Sequence, residues 1–140
     1  MDEQYKPQEL YIGQKLTARR IINEEVVARF AEATGDFNPI HLSDDAAARS
    51  IFKKRVAHGM LGACMMIAVS VSELKQYGGI HLGYDIRFLK PIYVGEEIVI
   101  ELEVIELSED KRRGTIKGTC YNSQMQAAIV GESYIIPAPV

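Results

Sequence analysis

Positive charge is in short supply in this sequence. Its 16 Lys and Arg are outnumbered by 19 Asp and Glu, leaving a net charge of −3 and a pI near 5.6. No basic stripe interleaved with aromatics is present, so nucleic acid is not an expected partner. Long hydrophobic runs are missing too. The apolar stretch from Gly59 to Ser72 falls short of the roughly 20 residues that cross a bilayer, so no membrane association is expected. Met1-Asp2-Glu3-Gln4-Tyr5-Lys6 has neither the basic nor the apolar region of a secretory signal. Cysteine is scarce: Cys64 and Cys120 sit inside apolar segments and are expected to be buried thiols of a cytoplasmic protein, not a disulfide framework. The three His and two Cys lack zinc-site spacings, and there is no Walker loop and no GxGxxG. No metal or cofactor site is expected, and no repeat or low-complexity tract stands out. What is there is ordinary in bulk: 140 residues, 47% hydrophobic and 25% charged. This predicts one soluble globular domain over 1–140, with 1–13 as a loosely structured lead-in.

The chemistry-bearing stretch is Gly35-Asp36-Phe37-Asn38-Pro39-Ile40-His41. Pro39 lacks an amide hydrogen and pushes Asn38 out of the helical region, so the run is expected to be a turn rather than regular helix. A braced turn can aim Asp36 and His41 at one small volume. A carboxylate and an imidazole beside one water suit general acid/base work near neutral pH. The plainer reading makes Asp36 and Asn38 ordinary turn residues that satisfy their own backbone.

Around this turn the pattern alternates between helix and strand signals. Lys15 to Ile22 reads as a strand. Asn23 caps a helix from Glu24 to about Ala33, with Glu24 and Glu25 favoured by the helix dipole, and Gly35 ends it. Ser43 caps a short helix led by Asp44 and Asp45. From Gly59 to Ser72 the chain is uncharged and apolar on every face, which predicts a central helix buried on every face. Gly78-Gly79 reads as a helix stop. Ile80, Leu82, Tyr84, Ile86 and Phe88 then alternate with polar or small residues, and further on Ile98, Ile100, Leu102 and Val104 alternate with Val99, Glu101 and Glu103. Two more strands, Thr115 to Asn122 and Ala127 to Ile136, flank a Ser123-Gln124 turn. Short connections favour antiparallel pairing. The fold class is therefore α+β: a curved antiparallel sheet wrapped around one long buried helix. Such a sheet leaves an edge or an open face, which predicts a homodimer or a higher assembly of dimers.

Asp36 and His41 in their GDxNPxH setting, followed by Ala57-His58-Gly59-Met60-Leu61 and by Arg87-Phe88-Leu89-Lys90-Pro91-Ile92-Tyr93-Val94-Gly95, resemble the MaoC-like (R)-specific enoyl-CoA hydratases. The likeness runs from about Gly13 to Pro137. It implies a single hot-dog domain and reversible syn addition of water to a trans-2-enoyl-CoA. The acyl-CoA thioester would be the substrate partner, with coenzyme A part of it and no separate cofactor. It also implies Asp36 and His41 as the acid/base pair and the Gly59 amide as donor to the thioester oxygen. One departure is Ile67, which stands where some relatives carry a helix serine that bonds near the pair.

Other residues have two readings each. His58 is a competing candidate for the catalytic imidazole or, on the family match, structural, packing or capping at the helix start. Asn38 fixes the turn or touches substrate, and His81 is expected at the surface. Lys53-Lys54-Arg55, Arg87 and Lys90 either meet the coenzyme A phosphates or are simply solvated. Met60, Met65 and Met66 are core or acyl-tunnel lining. Two rival functions remain. A thioesterase or carrier-protein dehydratase generally needs a carboxylate on the central helix, where the first acid is Glu73. A non-catalytic acyl-CoA-binding protein would not need the acid/base pair.

Overall fold

The computed structural model describes residues 2–140; Met1, the first residue of the expected lead-in, lies outside the described residues. A five-stranded antiparallel sheet is built from β1 (Lys15–Ile21), β2 (Ile80–Phe88), β3 (Glu97–Leu107), β4 (Gly114–Tyr121) and β5 (Ala127–Ile136), in the order β1-β3-β4-β5-β2. Helices α1 (Glu24–Thr34), α2 (Pro39–Leu42), α3 (Asp44–Ala48) and α4 (Gly59–Ser72) all precede β2. The expected α+β class is what forms, with α4 packed against β3, β4 and β5.

The local signals act where expected. Asn23 Oδ1 accepts the Val26 amide at 2.9 Å, and Ser43 Oγ accepts the Ala46 amide. In β3, Ile98, Ile100, Leu102 and Val104 point inward and are almost wholly buried beside Ile116, Cys120 and Ile129. This alternation is the period-two pattern of a strand with one covered face.

Glycine sets how closely α4 approaches the sheet. A Cβ on Gly62 would stand 2.5 Å from Ile129 Cδ1, and one on Gly118 would stand 2.7 Å from Met66 Cε. Each glycine thus receives a large side chain from the opposite layer. Gly118 and Gly131 face each other across β4 and β5. A Cβ on Gly131 would meet the Asp85 carbonyl oxygen of neighbouring β2 at 2.6 Å.

Five expectations need correction. The lead-in is tied down, not loose: Leu10 is buried, the Gln8 amide donates to the Lys75 carbonyl, and the Gly13 amide donates to the Val104 carbonyl. Helix α4 is not covered on all faces, because Met60, Cys64 and Ala68 form an exposed stripe at helical spacing. Cys64 is therefore accessible, while Cys120 is buried and its thiol is pushed up to about 12. His81 is half-buried, with Nε2 3.3 Å from Ser70 Oγ, because the register of β2 against β5 shifts between His81 and Gly83 and switches which side faces inward. Finally, α4 ends at Ser72, and Gly78 (φ 91°) serves the turn leading to β2 rather than the helix terminus.

The two paired glycines should respond differently to an added methyl. Gly131→Ala pushes against backbone and is expected to cost about 1–3 kcal/mol in urea unfolding. Gly118→Ala meets side-chain ends, Met66 Cε at 2.7 Å and Leu102 Cδ2 at 3.1 Å, and no backbone, and is expected to cost less.

Candidate active site

The site begins where α1 stops. Gly35 adopts φ 78° and its amide donates to the Ala31 carbonyl, reversing the chain in a conformation glycine takes without steric cost. The Asp36 amide then donates to Thr34 Oγ1 at 3.2 Å. The Asn38 amide donates to Asp36 Oδ1 at 3.1 Å, and the Ile40 amide to Asn38 Oδ1 at 3.3 Å. Pro39 occupies the first turn of α2, where its missing amide hydrogen costs nothing. The stretch is thus not wholly irregular as expected: proline forbids helix before itself, not after, and His41 rides on the turn of helix it starts. Asn38, raised as a substrate contact, commits its side-chain oxygen to capping α2 and does not line the adjoining cleft.

His41 is buried and its ring is aimed by backbone. Nδ1 lies 2.7 Å from the Val56 carbonyl oxygen. A carbonyl only accepts, so Nδ1 carries the hydrogen and Nε2 is left as the acceptor. Burial holds the imidazole below the ordinary value of 6.5. The bond to Val56 opposes this, the neighbouring His58 lowers it further, and the Asp36 carboxylate opposes again. His41 is therefore neutral at pH 7.

Val56 belongs to a short crossing segment that leads into α4. It bridges to Tyr93, the Val56 amide donates to the Ile40 carbonyl, and the Ala57 amide donates to the Ile92 carbonyl. His58 comes next but one, buried, with its ring stacked on His41 at 3.8 Å between centroids and 29° between planes. Phe30 packs on it at 4.9 Å. His58 Nε2 is 3.0 Å from the Asp36 carbonyl oxygen, whereas Nδ1 is buried with no hydrogen-bond partner among the described residues. A polar atom left this way costs about 1–3 kcal/mol. His58 does not cap α4 with its side chain, contrary to one of its two expected structural roles.

A carboxylate oxygen of Asp36 and one ring nitrogen from each histidine lie within 4.8 Å of one another. Three such donors invite a metal reading. The near-parallel rings argue against it, since in-plane lone pairs from stacked imidazoles run side by side and do not converge on one ion.

These residues meet at a cleft of about 450 Å³. Phe30, Phe52, Met60, Phe88, Pro91 and Ile92 supply apolar wall, and Asp36, His41, His58, Gly59 and Lys90 supply the polar groups. Gly59 opens α4, and its amide has no acceptor among the described residues. A Cβ at this position would lie 2.8 Å from the Phe88 ring. The expected trio of Asp36, His41 and Gly59 is thus brought to one place. The basic run behaves otherwise. Arg55 is paired with Glu24 and Asp44, Lys54 lies over the Tyr93 ring, and neither they nor Lys53 line the cleft. The methionines divide: Met60 lines the cleft, Met66 is core, and Met65 is half-buried against it. Ile67 faces a small interior space beside Tyr84 and Ser133, away from the cleft. Phe30 and Phe52 are wall residues that no motif marks, although Phe30 lies in the last turns of the helix that Gly35 ends.

Residues 7–128 match the family model described as MaoC like domain. The chain is 34% identical over 128 residues to the (R)-specific enoyl-CoA hydratase of Aeromonas caviae, covering 91% of this chain and 96% of that protein. It is 35% identical over 113 residues to the 3-hydroxybutyryl-CoA dehydratase of Methylorubrum extorquens, covering 81% and 72%. The solved structure of R-hydratase PhaJ1 from Pseudomonas aeruginosa superposes with a TM-score of 0.87 at 35% identity, over 94% of this chain and 84% of that one. That structure shares with this chain the hot-dog arrangement of sheet and central helix.

The lowered proton affinity of His41 links folding to pH. The unfolded chain binds a proton that the folded site resists, so this contribution to stability is present above 6.5 and lost as pH falls through 6.5 toward the folded value. A ring-NMR titration is expected to give His41 a midpoint below 6.5; a midpoint above it would contradict the buried, neutral ring.

Proposed function

Because this chain belongs to the MaoC-like domain family, we propose that it is an (R)-specific enoyl-CoA hydratase, reversibly adding water to a trans-2-enoyl-CoA to give an (R)-3-hydroxyacyl-CoA. One observation carries the reading. A carboxylate, a neutral imidazole and an unpartnered helix-start amide meet on one apolar cleft.

In the hydration direction the water oxygen bonds to Cβ, the double-bond electrons move toward the thioester oxygen, and Cα then takes a proton. His41 Nε2 and the Asp36 carboxylate are the two acceptors beside that water. One withdraws its proton while the other steers it, and the proton returns to Cα. With both groups within 4.8 Å of each other, delivery comes from one side of the substrate, as syn addition requires. The Gly59 amide, backed by the dipole of a 14-residue helix, donates to the oxygen that becomes enolate-like. Coenzyme A enters as part of the substrate, and the chemistry calls for no further cofactor. Glu73, the first acid after the helix start, lies beyond the far end of α4 paired with Arg20 at 3.2 Å, which disfavours the thioesterase alternative.

The working unit we propose is a homodimer. Strand β2 is an unpaired edge carrying Ile80, Leu82 and Phe88, each more than half exposed, and the α4 stripe adds Met60 at 47%. Contiguous apolar edge of this kind is covered in stable proteins. Among the described residues no helix is long and apolar enough to cross a membrane, and a cytoplasmic setting remains the expectation.

Purified protein should hydrate crotonyl-CoA, read as loss of the conjugated thioester's ultraviolet absorbance. Asp36→Asn and His41→Gln should each slow this by roughly 10²–10⁴-fold. Full activity in either variant would remove the mechanism, and no activity at any chain length would favour the non-catalytic binder. Light scattering should give twice the 15.6 kDa chain mass, and Leu82→Lys should shift it toward monomer. A wild-type monomer at micromolar concentration would end the dimer reading.

A further inference from the structure

We propose that His58 is a positioning residue for the acid/base pair, holding the Asp36 backbone through its Nε2–H and bracing the His41 ring by stacking. This role rests on the hydratase reading and extends it to a residue otherwise left as filler.

A packing role alone does not account for the geometry. The His58 ring fills its space between Phe30 and His41, which a phenyl ring would do as well. It also spans 22 residues of sequence to reach a carbonyl that belongs to Asp36 itself. The carbonyl is otherwise free among the described residues, and its carbon is bonded to the Cα that carries the side-chain carboxylate. The turn's own hydrogen bonds, from Thr34 through Asn38, fix its internal shape but not its place over the cleft. The bond from His58 fixes that place, because His58 is the last residue before α4 and moves with the helix start. Asp36 and the Gly59 amide are thereby tied to adjacent residues of one segment.

Stacking does the same for His41. Its Nδ1 is held by Val56, two residues before His58, so one hydrogen bond sets the ring's direction and one stacked face sets its tilt. Every functional group of the site is then referred to the segment Val56–Gly59. The titratable and charged groups around His41 are Asp36 on the turn, His58 at the helix start and, on the cleft wall, Lys90. Positive charge on His41 is opposed by its stacked neighbour, which assigns His58 a second effect on the pair.

Two variants separate these roles. His58→Phe keeps a ring to stack and deletes the donor; His58→Gln keeps a nitrogen near the Nε2 position and deletes the stack. His58→Phe is expected to lower kcat on crotonyl-CoA on the order of 10²-fold, the scale of a small misplacement of a reacting group. KM should stay within about threefold, and His58→Gln should recover at least a third of the lost factor on a logarithmic scale. Both variants should raise the His41 midpoint in a ring-NMR titration of the resting protein, a measurement that needs no turnover. An unchanged kcat in His58→Phe overturns the proposal. So does an equal loss in both variants with an unmoved His41 midpoint, which is the signature of packing alone. If wild-type protein fails to hydrate any enoyl-CoA, the function is lost, while the titration still decides whether His58 governs His41.

Discussion

The site depends on one extended crossing, from Val56 to the first residue of α4. Its amides and carbonyls reach in three directions, to Ile40 on the short helix, to Ile92 on the loop after β2, and to the His41 ring. Unmet backbone groups in a buried segment are expensive, so such a crossing must find partners, and here the partners are the functional elements themselves. The base is aimed by how this buried segment satisfies its hydrogen bonds, and the donor amide is the one its end leaves unpartnered among the described residues.

That crossing is held in turn by the seating of α4. Gly62 against Ile129 and Gly118 against Met66 let helix and sheet interlock at two levels, which fixes the helix along its axis as well as its distance from the sheet. Close-packed interiors resist sliding because any shift leaves one layer overpacked and the other void. The amide at the start of α4 is therefore delivered to the cleft by contacts made one to two turns further along. Fold and site share the same constraint.

Much of this was legible in the sequence, and the reasons are local. Asn23, Ser43 and Gly35 act on residues within four positions of themselves, so their caps and stops can be read from spacing. The Asp36–His41 pair was legible because Pro39 narrows what the turn can do. Other features were not readable for equally physical reasons. An all-apolar run carries no face, so nothing marked Met60, Cys64 and Ala68 as the exposed stripe. A bulge between His81 and Gly83 inverts strand parity, which alternation alone cannot foresee. The attachment of His58 to Asp36 uses a carbonyl, a group every residue owns, and so leaves no trace in residue identity.

Val56 carries the same anonymity to the base. Its side chain is buried on the cleft wall, yet it is the carbonyl that orients the imidazole on which the proposed chemistry turns. Orientation of the base is thus written into chain path, not into a side chain. Substitutions that keep the path and fit the same buried space leave the ring in place. Side chains elsewhere on the cleft wall can thus change in shape while the ring that handles the proton keeps its aim.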